Sequence, residues 1–524
     1  MVGRPARLDK PPACGASAVV WFAPPPWDEE HPQRRAIDQR LPPDHLARRI
    51  DEGVNRLDLT PLFQTYQGHG TPPLRPDVLL KIVLYEMASG KPSPAEWFRD
   101  ARECDGVRWL GRGVQPSRSA CYEFWHRLQP FFGDWNEQVL QAAIDQGQLA
   151  GARAAQDGTA VAACASRHRL VNQETLQRRT AELDEVLAAD QRRQPPPVLR
   201  SWMARHDDTR LAQRARYERA QERMGQLQAE NQRRRKCHRQ APEKIVVSLS
   251  DPDAACARDK LHVFRPLYNV QLLCDLDTPF VLAYQVFAQG HDHGTLAPLV
   301  ERSVELTGCK PQILLADATY ASVLDLAVCQ AHGITLYAPV SQNDFSVHQQ
   351  RKPQTNQFTA LPKGAFTWDP AAANYVCPQG HRLHREGQSF VQRQGQERLQ
   401  TYRFRCPPEH CRCCPLATTC TPHPAAGRTV TRLEHEELLD ELRARMSTPA
   451  AKALYRLRSR TVELAFADLK EHRTLRRFNA RGLPSAQAQV GAVILVHNLL
   501  LLLRAQHPAR ASLPASRILE KMKC

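Results

Sequence analysis

The sequence predicts an α/β protein whose sheet is partly parallel, preceded by an all-helical segment. Two observations carry this. Between residues 264 and 340, "LYNVQLLCDLDTPFVLAYQVF" reads as two β-rich runs joined at Asp275-Leu276-Asp277-Thr278. A helix near Thr295–Leu306, the strand-like "PQILLADATY", a helix from about Ala321 to His332 and the strand "GITLYAPV" follow. Strands alternating with helices imply a parallel portion of the sheet. From about Ala36 to Leu128, by contrast, apolar residues recur at helical spacing between short breaks.

The elements follow in chain order. Residues 1–36 are rich in proline and charge and are expected to be a disordered extension. In "LRPDVLLKIVLYEMASGKPSPAEWFRDARE" a Pro-Asp start precedes two apolar stripes, Val78, Ile82 and Tyr85 beside Leu79, Val83 and Met87; Gly-Lys-Pro then breaks the helix before a second one. Helix, short turn and helix allow a helix-turn-helix DNA reader, and a plain helical bundle fits the same spacing. "ARAAQDGTAVAAC" places Asp157-Gly158 between two short segments, a hairpin signal. Residues from about 173 to 240 are dense in Arg, Gln and Glu and read as a basic helical insertion.

The chain has 71 Lys and Arg against 55 Asp and Glu, a net charge of +16, so a polyanion is the first partner to consider. The apolar run Val490–Leu503 contains His497 and Asn498 and falls short of the about 20 residues that span a bilayer, so a buried helix and no membrane partner are expected. No long apolar core of a secretory signal stands near the start, and the expected compartment is the cytoplasm, at the nucleoid.

Three acids stand out: Asp157 at the expected hairpin, Asp317 in "LLADATY" at the carboxyl end of a strand, and Glu463 in "ALYRLRSRTVELAFADLKEHRTLRRF". Strand ends of open α/β sheets are where ligands gather, although an Asp there also serves as a plain turn former or helix cap. The third segment lacks Pro and Gly and reads as one helix. On it Arg456, Glu463 and Lys470 recur every seven residues beside Arg460, and a surface salt-bridge ladder is the competing reading. If the fold gathers the three acids, they make an oxygen-rich site suited to Mg²⁺, and two such ions can drive in-line attack on a phosphodiester.

In their order, "QDGTAVAACAS", "LSDPDA", "LYNVQLLCD", "ADATY" and "RTVELAFADLK…RFNARGL" resemble the successive blocks of the DDE transposases of bacterial insertion sequences, over about Ile37 to Leu503. The resemblance implies an RNase H-like mixed sheet flanked by helices, with an all-α N-terminal domain and two insertions. It implies Asp157, Asp317 and Glu463 as the metal-binding catalytic triad for two Mg²⁺, with Mn²⁺ as substitute. Tyr455, Arg458 and Lys470 would be the aromatic and basic companions that support DNA and the transition state. It further implies double-stranded DNA, element ends and target, as partner and a homodimer or higher assembly on it. The implied layout is 37–148 helical DNA-binding domain, 149–172, 245–340 and 432–505 catalytic core, 173–244 basic insertion, 341–431 Cys-rich insertion and 506–524 tail. Two departures stand out. Four residues rather than three separate Arg458 from Glu463, which leaves Arg456 or Arg460 as alternatives, and Thr319 stands where relatives have Gly. Asp251 reads as a turn residue and Asp292, in "HDH", as a helix start.

Six of the sixteen cysteines lie between 377 and 420. Cys411-x-x-Cys414 with Cys377 and Cys420 can supply four thiolates to a structural Zn²⁺, with Cys406 or His381 as substitutes; reduced thiols packed in a small insertion are the alternative. The function expected is metal-dependent strand cleavage and transfer by a transposase. The alternatives are a catalytically inactive, transposase-derived DNA-binding protein and a tyrosine recombinase, the latter disfavoured because no well-formed His-x-x-Arg helix precedes a late Tyr.

Overall fold

The computed structural model describes residues 20–67, 71–194, 199–234, 236, 239–308, 310–340, 361–394 and 397–506. The chain divides into two compact units. One comprises Met1–Ala143, Leu469–Leu475 and Ala488–Cys524; the other comprises Ile144–Asp468 and Arg476–Gln487.

The first unit is helical: α1 (Pro32–Arg40), α2 (Leu46–Val54), α3 (Thr60–Gln64), α4 (Pro76–Ala88), α5 (Pro94–Glu103), α6 (Asp105–Leu110), α7 (Arg118–Leu128) and α8 (Phe132–Asp145). Order begins earlier than the extension expected over 1–36. Trp27 is buried and stacks on His31, and Ala23 N–H donates to the Pro73 carbonyl; residues 1–19 lie outside the described ones. Of thirteen residues in α4, twelve are buried. It is therefore a core helix on every side, more than its two stripes implied, and cannot itself lie in a DNA groove. By contrast α7 exposes Arg118, Ser119, Tyr122 and Glu123.

The second unit is built on a six-stranded mixed sheet, consistent with the α/β expectation. Its strands are β1 (Arg153–Ala162), β4 (Ala255–Arg258), β5 (Phe264–Asp275), β6 (Val281–Phe287), β7 (Ile313–Leu315) and β8 (Thr335–Tyr337), in the order β4-β5-β1-β7-β8 with β6 also on β5. The strands β1, β7 and β8 are parallel, whereas β5 runs antiparallel to β1, β4 and β6. Except at its start β5 is buried throughout, as befits a strand covered on both faces. The crossovers use α11 (Leu296–Thr307) and α12 (Val323–Ala331).

Two excursions leave this sheet. The first is a helical hairpin of α9 (Gln173–Gln191) and α10 (Asp207–Arg233), tied at its base by the short pair β2 (Leu170–Val171) and β3 (Val247–Ser248). It is more than a charged surface: Leu176, Leu183, Tyr217, Ala220 and Met224 form a core of their own, and Arg210 grips the Asp190 carboxylate with two bonds of 2.7 Å. The second is a five-stranded antiparallel sheet of β9 (Thr367–Asp369), β10 (Asn374–Val376), β11 (Arg382–Gln394), β12 (Glu397–Arg405) and β13 (Thr429–Leu433). It carries the short helices α13 (Pro408–Arg412) and α14 (Ala417–Cys420).

The chain then runs through α15 (Glu437–Ser447), α16 (Pro449–Tyr455) and α17 (Val462–Ala467) to α18 (Leu483–Gln506). The core segment expected over 432–505 thus changes unit along its length, since 469–475 and the residues from 488 group with the helical unit. By length and composition Leu483–Arg504 could cross a membrane, but 78% of that window is buried inside the protein. It is a core helix, longer than the apolar run suggested.

Candidate active site

Asp157 does not lie in a hairpin turn. It stands within the continuous strand β1, opposite Leu272 of β5. Asp-Gly misled because Gly158 serves a different need: a Cβ there would collide with Gln271 Nε2 and Asp292 Oδ1. A strand glycine here marks close approach rather than a turn. On the other side β1 pairs with β7 in parallel, Ala155 opposite Leu315, so Asp157 and Asp317 each follow that pair by two residues. Register, not sequence proximity, brings these two residues to neighbouring strands, where the Asp317 charge reaches Asp157.

Asp317 also caps a 3-10 turn, as the plain cap reading expected. Its Oδ1 accepts the Thr319 N–H at 2.7 Å and the Thr319 hydroxyl. Thr319 thus strengthens the turn with a second donor. It is absent from the positive-φ residues, so no left-handed backbone is needed.

The expected single helix around Glu463 is broken. After α16 the chain tightens into a 3-10 stretch, Arg456–Arg460, kinks at Thr461 (φ −119°, ψ −86°), restarts as α17 and widens into a π-turn over Asp468–His472. The seven-residue stripe of Arg456, Glu463 and Lys470 therefore does not form. This rearrangement explains the odd Arg-to-Glu spacing, because Arg458 is the arginine that reaches the acids. Its Nη2 lies 2.8 Å from Asp157 Oδ2 and its Nη1 3.7 Å from Glu463 Oε1. Helix α17 packs on β1 and β5 and carries Glu463 in its first turn. Lys470 lies in the π-turn, in the stretch that groups with the helical unit.

Burial raises the Asp157 carboxyl above its ordinary range, partly offset by Arg458, and the Asp317 charge raises it further. The Tyr455 phenol is likewise raised by burial, and it too senses Arg458, Asp317 and Asp157. Tyr455, Arg458 and the two aspartates therefore share one electrostatic neighbourhood. Glu463 is the open member, its side chain 54% exposed against 17% for Asp157. Among the described residues no three His, Cys, Asp or Glu side chains are close enough to hold one ion as they stand. Arg458 supplies the compensating positive charge. The donor set, hard carboxylate oxygens with one partly open, suits Mg²⁺ or Mn²⁺ and not a soft metal.

Several supporting residues carried no signal that spacing could reveal. The buried Tyr320 hydroxyl donates to Gln271 Oε1 at 2.6 Å, Gln271 Nε2 donates to Asp292 Oδ1 at 2.7 Å, and Asn269 Nδ2 donates to the same oxygen at 2.8 Å. This ties the turn after Asp317 to the strand beside Asp157. Asp292 is thus a network acceptor as well as lying just before α11. Asp251, read as a turn residue, is fully buried, accepting from Tyr268 Oη at 2.8 Å and Gly482 N–H at 3.1 Å. Lys260 was also missed; its charge reaches Asp157.

The thiols form a separate cluster. Cys377, Cys406, Cys411, Cys414 and Cys420, with His381 and His410, line a cavity of about 20 Å³, space for one water or ion. Backbone N–H groups of His381, Leu416 and Arg428 donate to the sulfurs of Cys377, Cys414 and Cys411 at 3.3–3.4 Å. Burial pushes the Cys406 thiol up to about 12 and raises Cys420. Cys406, a substitute in the expected ligand set, thus lines the same cavity as Cys420.

Comparison with known proteins bears on this arrangement. Residues 376–503 match the family model of the transposase DDE domain. The match supports a DDE transposase, and with it a nuclease or transposase enzyme class. It spans less than half of the chain, taking in the thiol cluster and Glu463 but neither Asp157 nor Asp317. No curated protein and no solved structure matches the chain.

Proposed function

We propose that this chain is a DNA transposase with an RNase H-like core, in which Asp157, Asp317 and Glu463 hold a pair of Mg²⁺ ions. The observation that supports it best is that Arg458 reaches both Asp157 and Glu463 while the parallel pairing of β1 with β7 sets Asp317, just past its strand, within electrostatic reach of Asp157, in a chain with a transposase DDE match. When bound, the ions would supply Lewis acidity to the attacking and leaving oxygens of a phosphodiester. The residues do the rest. Sheet register fixes the aspartates, Glu463 reaches in from α17, and Arg458, once the acids take another partner, is free to hold a DNA phosphate. In the helical unit the exposed start of α7 is the best candidate to read element ends, and the chain acts as a dimer or larger assembly. The thiols of Cys377, Cys411, Cys414 and Cys420 hold a structural Zn²⁺, the sulfur-directed N–H groups being the second shell such a site needs.

The test is strand cleavage and joining by the purified chain on DNA carrying the ends that flank its gene, in Mg²⁺. Cleavage at the ends and joining of the freed 3′-OH to target are expected. A folded chain that binds those ends yet never cuts them, in Mg²⁺ or Mn²⁺, would make it an inactive DNA-binding derivative.

A further inference from the structure

We propose that a basic cavity at the foot of the α9–α10 hairpin binds single-stranded DNA, taking a phosphate on its arginines and an unstacked base against Trp202. This rests on the chain acting on DNA. The cavity, of about 470 Å³, is lined among others by Arg169, Arg179, Arg216 and Arg481 and by Trp202 and Tyr217. No Asp or Glu lines it among the described residues.

Some arginines elsewhere on the hairpin are matched by acids, Arg210 by Asp190 and Arg214 by Asp184. The four cavity arginines have no such ion pair among the described residues. Arg481 does feel Asp251, but that carboxylate already accepts from Tyr268 and Gly482. Burial first, and then Arg481 and Arg219, push the Arg216 guanidinium below its ordinary value. Converging cations are costly unless an anion joins them.

The aromatic part points to a nucleotide rather than a bare anion. Trp202 stacks on Tyr217 at 6.0 Å and 18°, and the Arg179 guanidinium lies 5.2 Å from the indole centroid. Arg179 Nε is buried without a hydrogen-bond partner. A base entering beside the indole displaces that cation, which then turns to the phosphate. The volume lies within the range of about 300–1,000 Å³ of small-ligand pockets, enough for a nucleotide and far too little for a duplex. Only a base already out of the helix can enter, so the cavity distinguishes single strands from double.

The test uses full-length chain carrying Asp317→Ala, so that probes stay intact. A short labelled oligothymidylate and a duplex of equal length are compared by anisotropy at one salt concentration. Adding Trp202→Ala should weaken single-strand binding by about tenfold, the scale of one base stack, and leave duplex binding within about twofold. Trp202→Phe should restore it. Arg481→Gln, at an exposed position that does not threaten folding, should also weaken it and flatten its salt dependence by about 0.7 per lost phosphate contact. Unchanged single-strand affinity in both Trp202→Ala and Arg481→Gln would overturn the proposal. So would full competition by inorganic phosphate, which would make this a free-anion site. Either result alongside normal cleavage by the parent chain leaves the transposase reading intact. A parent that neither binds nor cuts DNA fails that reading first.

Discussion

The carboxylate site and the thiol cluster are both gatherings of side chains of metal-ligating type, yet the chain builds them in opposite ways. Asp157 and Asp317 are far apart in sequence and meet only because β1 pairs in parallel with β7. The thiols lie close in sequence and meet in one small antiparallel sheet and its two short helices. Glu463 remains half-exposed, and Arg458 faces both it and the more buried Asp157. The thiols are walled by apolar groups, where burial raises Cys406 and Cys420. Through Glu463 one site is open to solvent, and the other is closed.

If that contrast is right, the largest effects belong to the open site. Asp157→Ala, Asp317→Ala and Glu463→Ala should each reduce strand cleavage by on the order of 10³-fold or more, with DNA binding kept. Near-normal cleavage by Asp317→Ala in Mg²⁺ would dissolve the distinction between the two clusters.

Arg458→Gln should cost less, about 10- to 100-fold, since it removes a partner of the acids and not an acid. Its more telling effect concerns pH. Arg458 opposes the burial that raises Asp157, so its loss should raise that carboxyl further. The acid limb of the cleavage profile, measured at sub-saturating Mg²⁺, should then move to higher pH. A profile of unchanged shape would mean that Arg458 does not govern Asp157 in the working protein.

How far these sites were legible follows from the same contrast. Local pattern found the strand before Asp317, the β5–β6 hairpin, α11, α12 and the buried α18, because each is a run of matching periodicity. It failed at Asp157-Gly158, where the glycine answers to Gln271 and Asp292 across the sheet, not to its neighbours. Around Glu463 the absence of Pro and Gly suggested one helix, whereas the chain kinks at Thr461 and restarts as α17, which packs on β1 and β5. The spacing from Arg458 to Glu463, one residue longer than the resemblance implied, left Arg456 and Arg460 as alternatives, and only the folded chain shows that Arg458 reaches Asp157 and Glu463. Tyr320, Gln271 and Asn269 carry no pattern of their own, since uncharged polar residues become informative only when burial shows whom they bond.

The closed site should respond in stability rather than chemistry. Cys411→Ser or Cys414→Ser should loosen the five-stranded sheet first, seen as faster amide exchange in β10–β12 and release of about one zinc per chain, while cleavage by the folded fraction changes little. Elemental analysis finding no zinc, with every thiol free to react, would leave the cluster as packed reduced cysteines.

The smallest effect tests whether burial alone explains the raised carboxyl at Asp157. Glu86 of α4 is a control: fully buried, beside Asp100 and Lys91, with its carboxyl pushed up to about 8, burial being the first cause and the Asp100 charge the second. Between the unfolded value of about 4.5 and about 8 the folded chain holds a proton that the unfolded chain releases. Stability contributed at this position therefore falls as pH rises through that window. Glu86→Gln removes the titration but keeps the size. The variant should gain on the parent by roughly 1–2 kcal/mol at pH 8, after allowance for unmet amide hydrogen bonds, and the advantage should vanish toward pH 4.5. Urea midpoints of both proteins across this range measure it. A variant no more stable than the parent at pH 8 would mean that Glu86 is ionised and well paired, with Lys91 offsetting burial there as Arg458 does at Asp157.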